Sequence, residues 1–121
     1  MRASRYLVVD RSEAFARAAV RFLTSAGATV VATASEPNRA HAVIGSTRPQ
    51  IAIIEWRHDD EALPALVAAL RAAVPEVVVA AAFDWDPPLP LPGTAIGVDT
   101  VLRKSRIYED LLTLTFLPQS A

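Results

Sequence analysis

Three charged residues in this sequence each close an apolar run. Asp10 follows 6-YLVV-9, Glu55 ends 51-IAIIE-55 just before Trp56, and Lys104 follows 100-TVLR-103. A carboxylate brought to the edge of an apolar interior costs several kcal/mol unless a cation or hydrogen-bond donors meet it. Two carboxylates, a lysine, and Arg11 beside Asp10 are the ingredients of a permanent ion-pair cluster, in which Lys104 or Arg11 satisfies Glu55. Asp10 also has a plainer reading, ordering the turn before the first helix. Other chemistries lack their residues. With no cysteine there is neither a disulfide nor a thiolate metal site, and His41 and His58 are too isolated to suggest zinc. His58, Asp59 and Asp60 read as a solvated loop and helix start, with carboxylates near the positive helix end.

Such a cluster needs its apolar runs to lie side by side, and short apolar runs alternate regularly with helical patterns. From 6-YLVV-9 the chain passes through Ser12, an N-cap, into a helix 13-EAFARAAVRFLTSA-26, where Phe15, Ala19, Phe22, Leu23 and Ala26 recur at helical spacing until Gly27. A strand 28-ATVVATA-34 follows, then Ser35 capping 36-EPNRAHAVIG-45 with Pro37 in the first turn. The strand 51-IAIIE-55 precedes a helix 61-EALPALVAALRAAV-74 that carries Leu63, Leu66, Val67, Leu70 and Val74 on one face. Strand four is 77-VVVAAA-82 and strand five 100-TVLR-103, before a last helix 106-RIYEDLLTLTF-116. Continuous apolar strands separated by amphipathic helices predict a doubly wound α/β fold: a five-stranded parallel sheet covered on both faces. The fourth crossover departs from the pattern. In 83-FDWDPPLPLPGTAIGV-98 four prolines fall within six residues, which predicts an irregular connection with no helix over 84–95.

The 121 residues, 52% hydrophobic, suffice for one domain over 1–121, with 118-PQSA-121 as a possible linker start. A formal net charge of -1 with no dense basic run argues against direct nucleic-acid binding. No segment is long enough to span a bilayer and no signal peptide is visible, so the expectation is a soluble cytoplasmic protein.

In an open parallel sheet the working site lies beyond the carboxyl ends of the strands. Asp10, Glu55, Lys104 and, in strand four, Ala81 are the residues so placed. In this order and spacing the chain resembles a bacterial response-regulator receiver domain (flavodoxin-like fold) over nearly its whole length. Asp10 in 7-LVVD-10 falls on the first of that family's acidic pair, and Arg11 on the second, where a metal-binding Asp is expected. Glu55 in 49-PQIAIIE-55 falls on the phosphoacceptor Asp, and Ala81 on the Thr or Ser ending strand four. In 97-GVDTVLRKS-105, Lys104 matches the family's lysine, Val101 replaces the aromatic switch residue and Ser105 the usual proline.

The departures set the functional expectation. The resemblance implies Mg²⁺ held by the acidic pair and the acceptor, and Arg11 replaces one ligand with a cation whose repulsion is roughly 4 kcal/mol per unit-charge pair at contact distance. Glu55 displaces its oxygens by about 1 Å relative to Asp, which spoils in-line attack. Ala81 offers no hydroxyl. No cofactor and no bound metal are expected, and Arg11 is expected where the metal would stand. The implied role is an atypical, phosphorylation-independent receiver, not an enzyme, that works as a protein-protein interaction module in bacterial two-component-type signalling. Two rivals are a receiver that still accepts a phosphoryl group on Asp10 or Asp59, and a flavodoxin-like small-molecule binder. The second lacks a Gly-rich or Ser/Thr-rich phosphate loop after strand one.

For a partner surface, the last helix carries two stripes. Ile107, Leu111 and Leu114 face the core, while Tyr108, Leu112 and Phe116 recur at i, i+4, i+8 and, with Val101, mark a face for a protein partner or a homodimer. The segment 87-PPLPLP-92 reads as a rigid loop or a polyproline II docking segment, and Trp56 and Trp85 as half-buried covers over the site.

Overall fold

The computed structural model describes residues 4–57, 60–84 and 97–115. The proline-rich stretch, Trp85, His58, Asp59, Phe116 and the 118–121 tail therefore lie outside the described residues, and with them the expectation for 84–95.

Five strands, β1 (Arg5–Val9), β2 (Thr29–Ala34), β3 (Ile51–Glu55), β4 (Val78–Phe83) and β5 (Thr100–Arg103), form one parallel sheet in the order β2-β1-β3-β4-β5. The described helices are α1 (Glu13–Ser25), α2 (Pro37–Thr47), α3 (Ala62–Ala73) and α4 (Ile107–Thr115), the last preceded by a 3₁₀ turn at Lys104–Arg106. The strand order reverses at β1, and the helices accordingly divide between the two faces. Ala40 and Ile44 of α2 and Leu63, Leu66 and Leu70 of α3 pack with Leu7, Val9, Ile54 and Ala81. Ala19 and Leu23 of α1 and Ile107, Leu111 and Leu114 of α4 pack with Tyr6, Val8, Ile53 and Ala82. The doubly wound parallel fold expected from the alternating pattern is the one observed. β3 lies in the sheet interior with its four apolar residues fully buried, which is why it reads as an unbroken apolar run.

Local chemistry explains the boundaries. The Ser12 hydroxyl accepts the Phe15 amide at 3.2 Å and caps α1, and Gly27 at φ 88 lets the chain leave it without a Cβ clash. α2 differs from expectation: its N-cap is Glu36, with no side-chain cap hydrogen bond, rather than Ser35. Pro37 at the first helical position needs no amide partner, and the Arg39 and Ala40 amides both bond the Glu36 carbonyl at 3.2 Å. The helix runs on to Thr47 and ends at Arg48 in the left-handed region, φ 43. β2 is an edge strand, only partly buried, and its pairing with β1 carries a bulge: Tyr6 pairs with Val30 and Leu7 with Ala32, leaving Val31 extra. Arg71 near the end of α3 holds the start of β5, bonding Gly97 O at 2.6 Å and Asp99 Oδ2 at 3.2 Å, while Asp99 Oδ2 also accepts the Val79 amide at 2.7 Å. Among the described residues no helix is long and apolar enough to cross a membrane.

Candidate functional site

Strand alternation decides which side chains meet at the carboxyl end of the sheet. Tyr6, Val8, Ile51, Ile53, Ala80, Ala82 and Leu102 point to the α1/α4 face. Two residues further along each strand direction stand Asp10, Glu55, Asp84 and Lys104.

Lys104 is the centre. Its Nζ lies 2.7 Å from Asp10 Oδ2, 2.8 Å from Glu55 Oε2, 3.4 Å from Asp84 Oδ1, and 4.6 Å from the centroid of the Phe15 ring. Asp10 is buried; its Oδ1 accepts the Ser12 amide at 2.8 Å, and its contact with Lys104 is ionic rather than a directed hydrogen bond. Asp10 thus orders the turn into α1 and also joins the cluster. The other oxygen of Glu55, Oε1, accepts the Arg11 amide at 3.4 Å. The Lys104 backbone is positioned by Arg103, whose amide and guanidinium bond both oxygens of Asp110 on α4 at 2.8 to 3.2 Å.

Charge states follow from these contacts. Burial pushes the Asp10 carboxyl up, and the Lys104 and Ser12 contacts only partly offset it. Burial also pushes Glu55 up, but the Lys104 hydrogen bond and charge, with the Arg11 amide and the Arg57 charge, hold it below the ordinary value. Burial pulls Lys104 down, and its two carboxylate partners more than reverse this, leaving it raised. The lysine stays protonated between partners that differ in their readiness to give up charge.

Two expectations need correction. The Arg11 guanidinium does not stand in the cluster: it is turned outward, half-exposed, toward Asp60 Oδ2 at 3.5 Å, and only its amide reaches Glu55. A carboxylate at the start of α3 outcompetes a site whose carboxylates already share an ammonium. Ala81 pairs with Ile54 and Val101 and points to the α2/α3 face, while Ala82 pairs with Glu55. Alanine at either position carries no hydroxyl. Val101 is half-buried against the α2/α3 core, and Trp56 is buried rather than half-buried. Tyr108 and Leu112 are 55% and 48% exposed, and the Tyr108 ring lies 5.5 Å from that of Phe22 on α1. Asp84, Phe15 and Asp60 were missed. Asp84 was legible as the next same-face position after Ala80 and Ala82; the other two depend on helix placement.

The cleft between Val9, Asp10, Arg11, Ser35, Glu55 and Arg57 has an open core of about 10 Å³, room for one water. A divalent ion of the kind the receiver resemblance implies does not fit these residues. Octahedral Mg²⁺ needs free hard oxygens, whereas both oxygens of Asp10 and of Glu55 are engaged by the lysine or by amides.

No protein-family model and no curated protein matches the sequence. Solved structures do match. The signal receiver domain of the NarL response regulator from Mycobacterium tuberculosis is 22% identical with a TM-score of 0.74, over 94% of this chain and 97% of that one. A CheY-like receiver domain protein from Methanospirillum hungatei is 20% identical with a TM-score of 0.77, over 94% and 91%.

The chain has the receiver fold. A Burkholderia pseudomallei response regulator with the same fold, 23% identical with a TM-score of 0.73 over 91% of this chain and 65% of that one, is described with a phosphorylated aspartic acid and a calcium ion. At the carboxyl end of the sheet in this chain, Lys104 lies between Asp10 and Glu55.

Proposed function

We propose that this chain is an atypical receiver domain that works without phosphorylation, as a protein-protein interaction module in two-component-type signalling in the cytoplasm, and is not an enzyme. The observation that carries this reading is the Lys104 ammonium bridging Asp10 and Glu55 at 2.7 and 2.8 Å. The ammonium and two backbone amides engage the oxygens of both carboxylates, which leaves them poorly placed to take a metal or a phosphoryl group. Arg11 and Ala81 support it, since one supplies no carboxylate where the resemblance expects a metal ligand and the other has no hydroxyl for a phosphoryl oxygen. Asp10 is a poor alternative acceptor, because its side chain is fully buried with both oxygens engaged. The exposed Tyr108 and Leu112 on α4, with Phe22 beside Tyr108, are the surface offered to a protein partner.

Incubation with acetyl phosphate and Mg²⁺ followed by intact-mass measurement tests the reading. The mass is expected to stay unchanged, and a stoichiometric phosphoryl adduct on Asp10, Glu55 or Asp59 would sink it.

A further inference from the structure

β2 is an edge strand with few of the features that keep an edge from pairing. Its six residues, TVVATA, include no charge and no proline, whereas the opposite edge, β5, has four and ends on Arg103. Proteins usually blunt exposed edges with charge, proline, shortness or a bulge, and β2 has only the bulge at Val31. Beside it runs an open groove of about 560 Å³, with Ala16 and Val20 of α1 between the charged side chains of Glu13, Arg17 and Arg21, and Thr33 on the strand side. Residues 13, 17 and 21 lie four apart and so share one flank of α1. Glu13 meets Arg17 at 2.7 Å, while the Arg21 guanidinium has no ion-pair partner among the described residues.

We infer that two copies of this chain pair edge to edge along β2, antiparallel, so that Arg21 of each copy meets Glu13 of the other. In a two-fold contact residue i meets j and j meets i, so the surface must be complementary to itself. The α1 flank is. About an axis level with Arg17, Glu13 faces Arg21 and Ala16 lies near its counterpart, with a Val20 on either side along an apolar strip. The same axis suits the strand. Glu13 and Thr33 border the groove together, the step from Glu13 to Arg17 rises about 6 Å along the helix, and the step from Thr33 to the midpoint of Val31 and Ala32 rises about 5 Å along the strand. The bulge then sits on the axis, and Thr29–Val30 of one copy forms a short ladder with Thr33–Ala34 of the other on each side. The two Arg17 side chains approach near the axis, each neutralised by its own Glu13. An unrelated extended peptide would gain the ladder alone; a second copy also supplies the carboxylate for Arg21. The pairing leaves Tyr108 and Leu112 uncovered for a different partner, and it stands apart from the reading of the ion cluster.

Sedimentation equilibrium of the full chain over a range of concentrations tests the pairing. The wild type is expected to form a concentration-dependent dimer that weakens with salt. Arg21→Glu, which sets glutamates against each other twice, is expected to raise the dissociation constant about tenfold or more, and Glu13→Arg with Arg21→Glu to restore it. Leu112→Glu is expected to leave it unchanged. A monomer at every concentration, failure of the double exchange to rescue, or a dimer abolished by Leu112→Glu and indifferent to Arg21→Glu would each overturn the inference.

Discussion

Lys104 follows β5 and Glu55 ends β3, two strands kept apart by β4, yet the Lys104 ammonium lies 2.8 Å from Glu55 Oε2. Neighbouring strands are about 4.8 Å apart, so the two backbones are separated by roughly twice that. The side chains can meet because the β4 residue in register with Glu55 is Ala82, which puts only a methyl group between them. A small β4 side chain and the Glu55 carboxylate thus act together in one ion pair across the sheet.

Removing the cation should expose how much the cluster depends on it. Lys104→Met leaves Asp10 and Glu55 close together at low exposure with no ammonium, and is expected to destabilise the fold by about 3–5 kcal/mol in urea denaturation. Adding Glu55→Gln should recover part of the loss. A cost below about 1 kcal/mol for Lys104→Met would mean that water already screens the carboxylates.

The register makes the two alanines of β4 inequivalent. Ala81→Thr places a hydroxyl among Leu7, Val9, Ile54 and Phe83 with no partner, and is expected to cost about 1–3 kcal/mol for the hydroxyl, beyond the strain of the added bulk. Ala82→Thr points its hydroxyl toward Glu55 and Lys104, where it can hydrogen bond, and should cost less. Denaturation midpoints of the two variants decide this, and equal losses would contradict the face assignment.

Stability should fall at both ends of the pH scale, for different reasons. Glu55 and Asp110 are held below the ordinary carboxylate range, Asp110 chiefly by the Arg103 hydrogen bond, so their contributions are present above about pH 4.3 and are lost as pH falls through their folded values. Asp10, raised by burial, works in the opposite sense: its contribution is complete below about 3.9 and is lost as pH rises through its folded value. Glu55→Gln should therefore flatten the acid loss, and Asp10→Asn should steepen it. On the alkaline side burial pushes the Tyr6 phenol up to about 12, so its contribution holds to about pH 10 and then declines, alongside that of Lys104. Tyr6→Phe should make the alkaline limb shallower in denaturation curves; an unchanged limb would assign that loss elsewhere.

The architecture was legible because residues 6–9, 51–54 and 78–83 are uninterrupted apolar runs and the helices amphipathic, so period separates them. Glu55 and Lys104 were legible as charges closing such runs. What was not legible turns on single-residue direction. Which of Ala81 and Ala82 shares a face with Glu55 depends on register, since one position along a strand exchanges the two faces. Arg11 was placed in the cluster by its neighbour in sequence, but a long flexible side chain goes to whichever carboxylate is least engaged, and Asp60 comes from another element. Ser35 resembled a cap, yet the helix starts one residue later and its Arg39 amide bonds the Glu36 carbonyl.

The contrast between β3 and β2 has a consequence in time. β3 is hydrogen-bonded on both sides, its apolar residues no more than 1% exposed, so its amides exchange with deuterated solvent only when the whole domain opens. β2 is half-exposed, bonded along one edge and interrupted at Val31, so it can detach while the remaining strands hold. Its amides then follow a faster clock set by local fraying, and a second copy bound along that edge would slow it toward the pace of the interior.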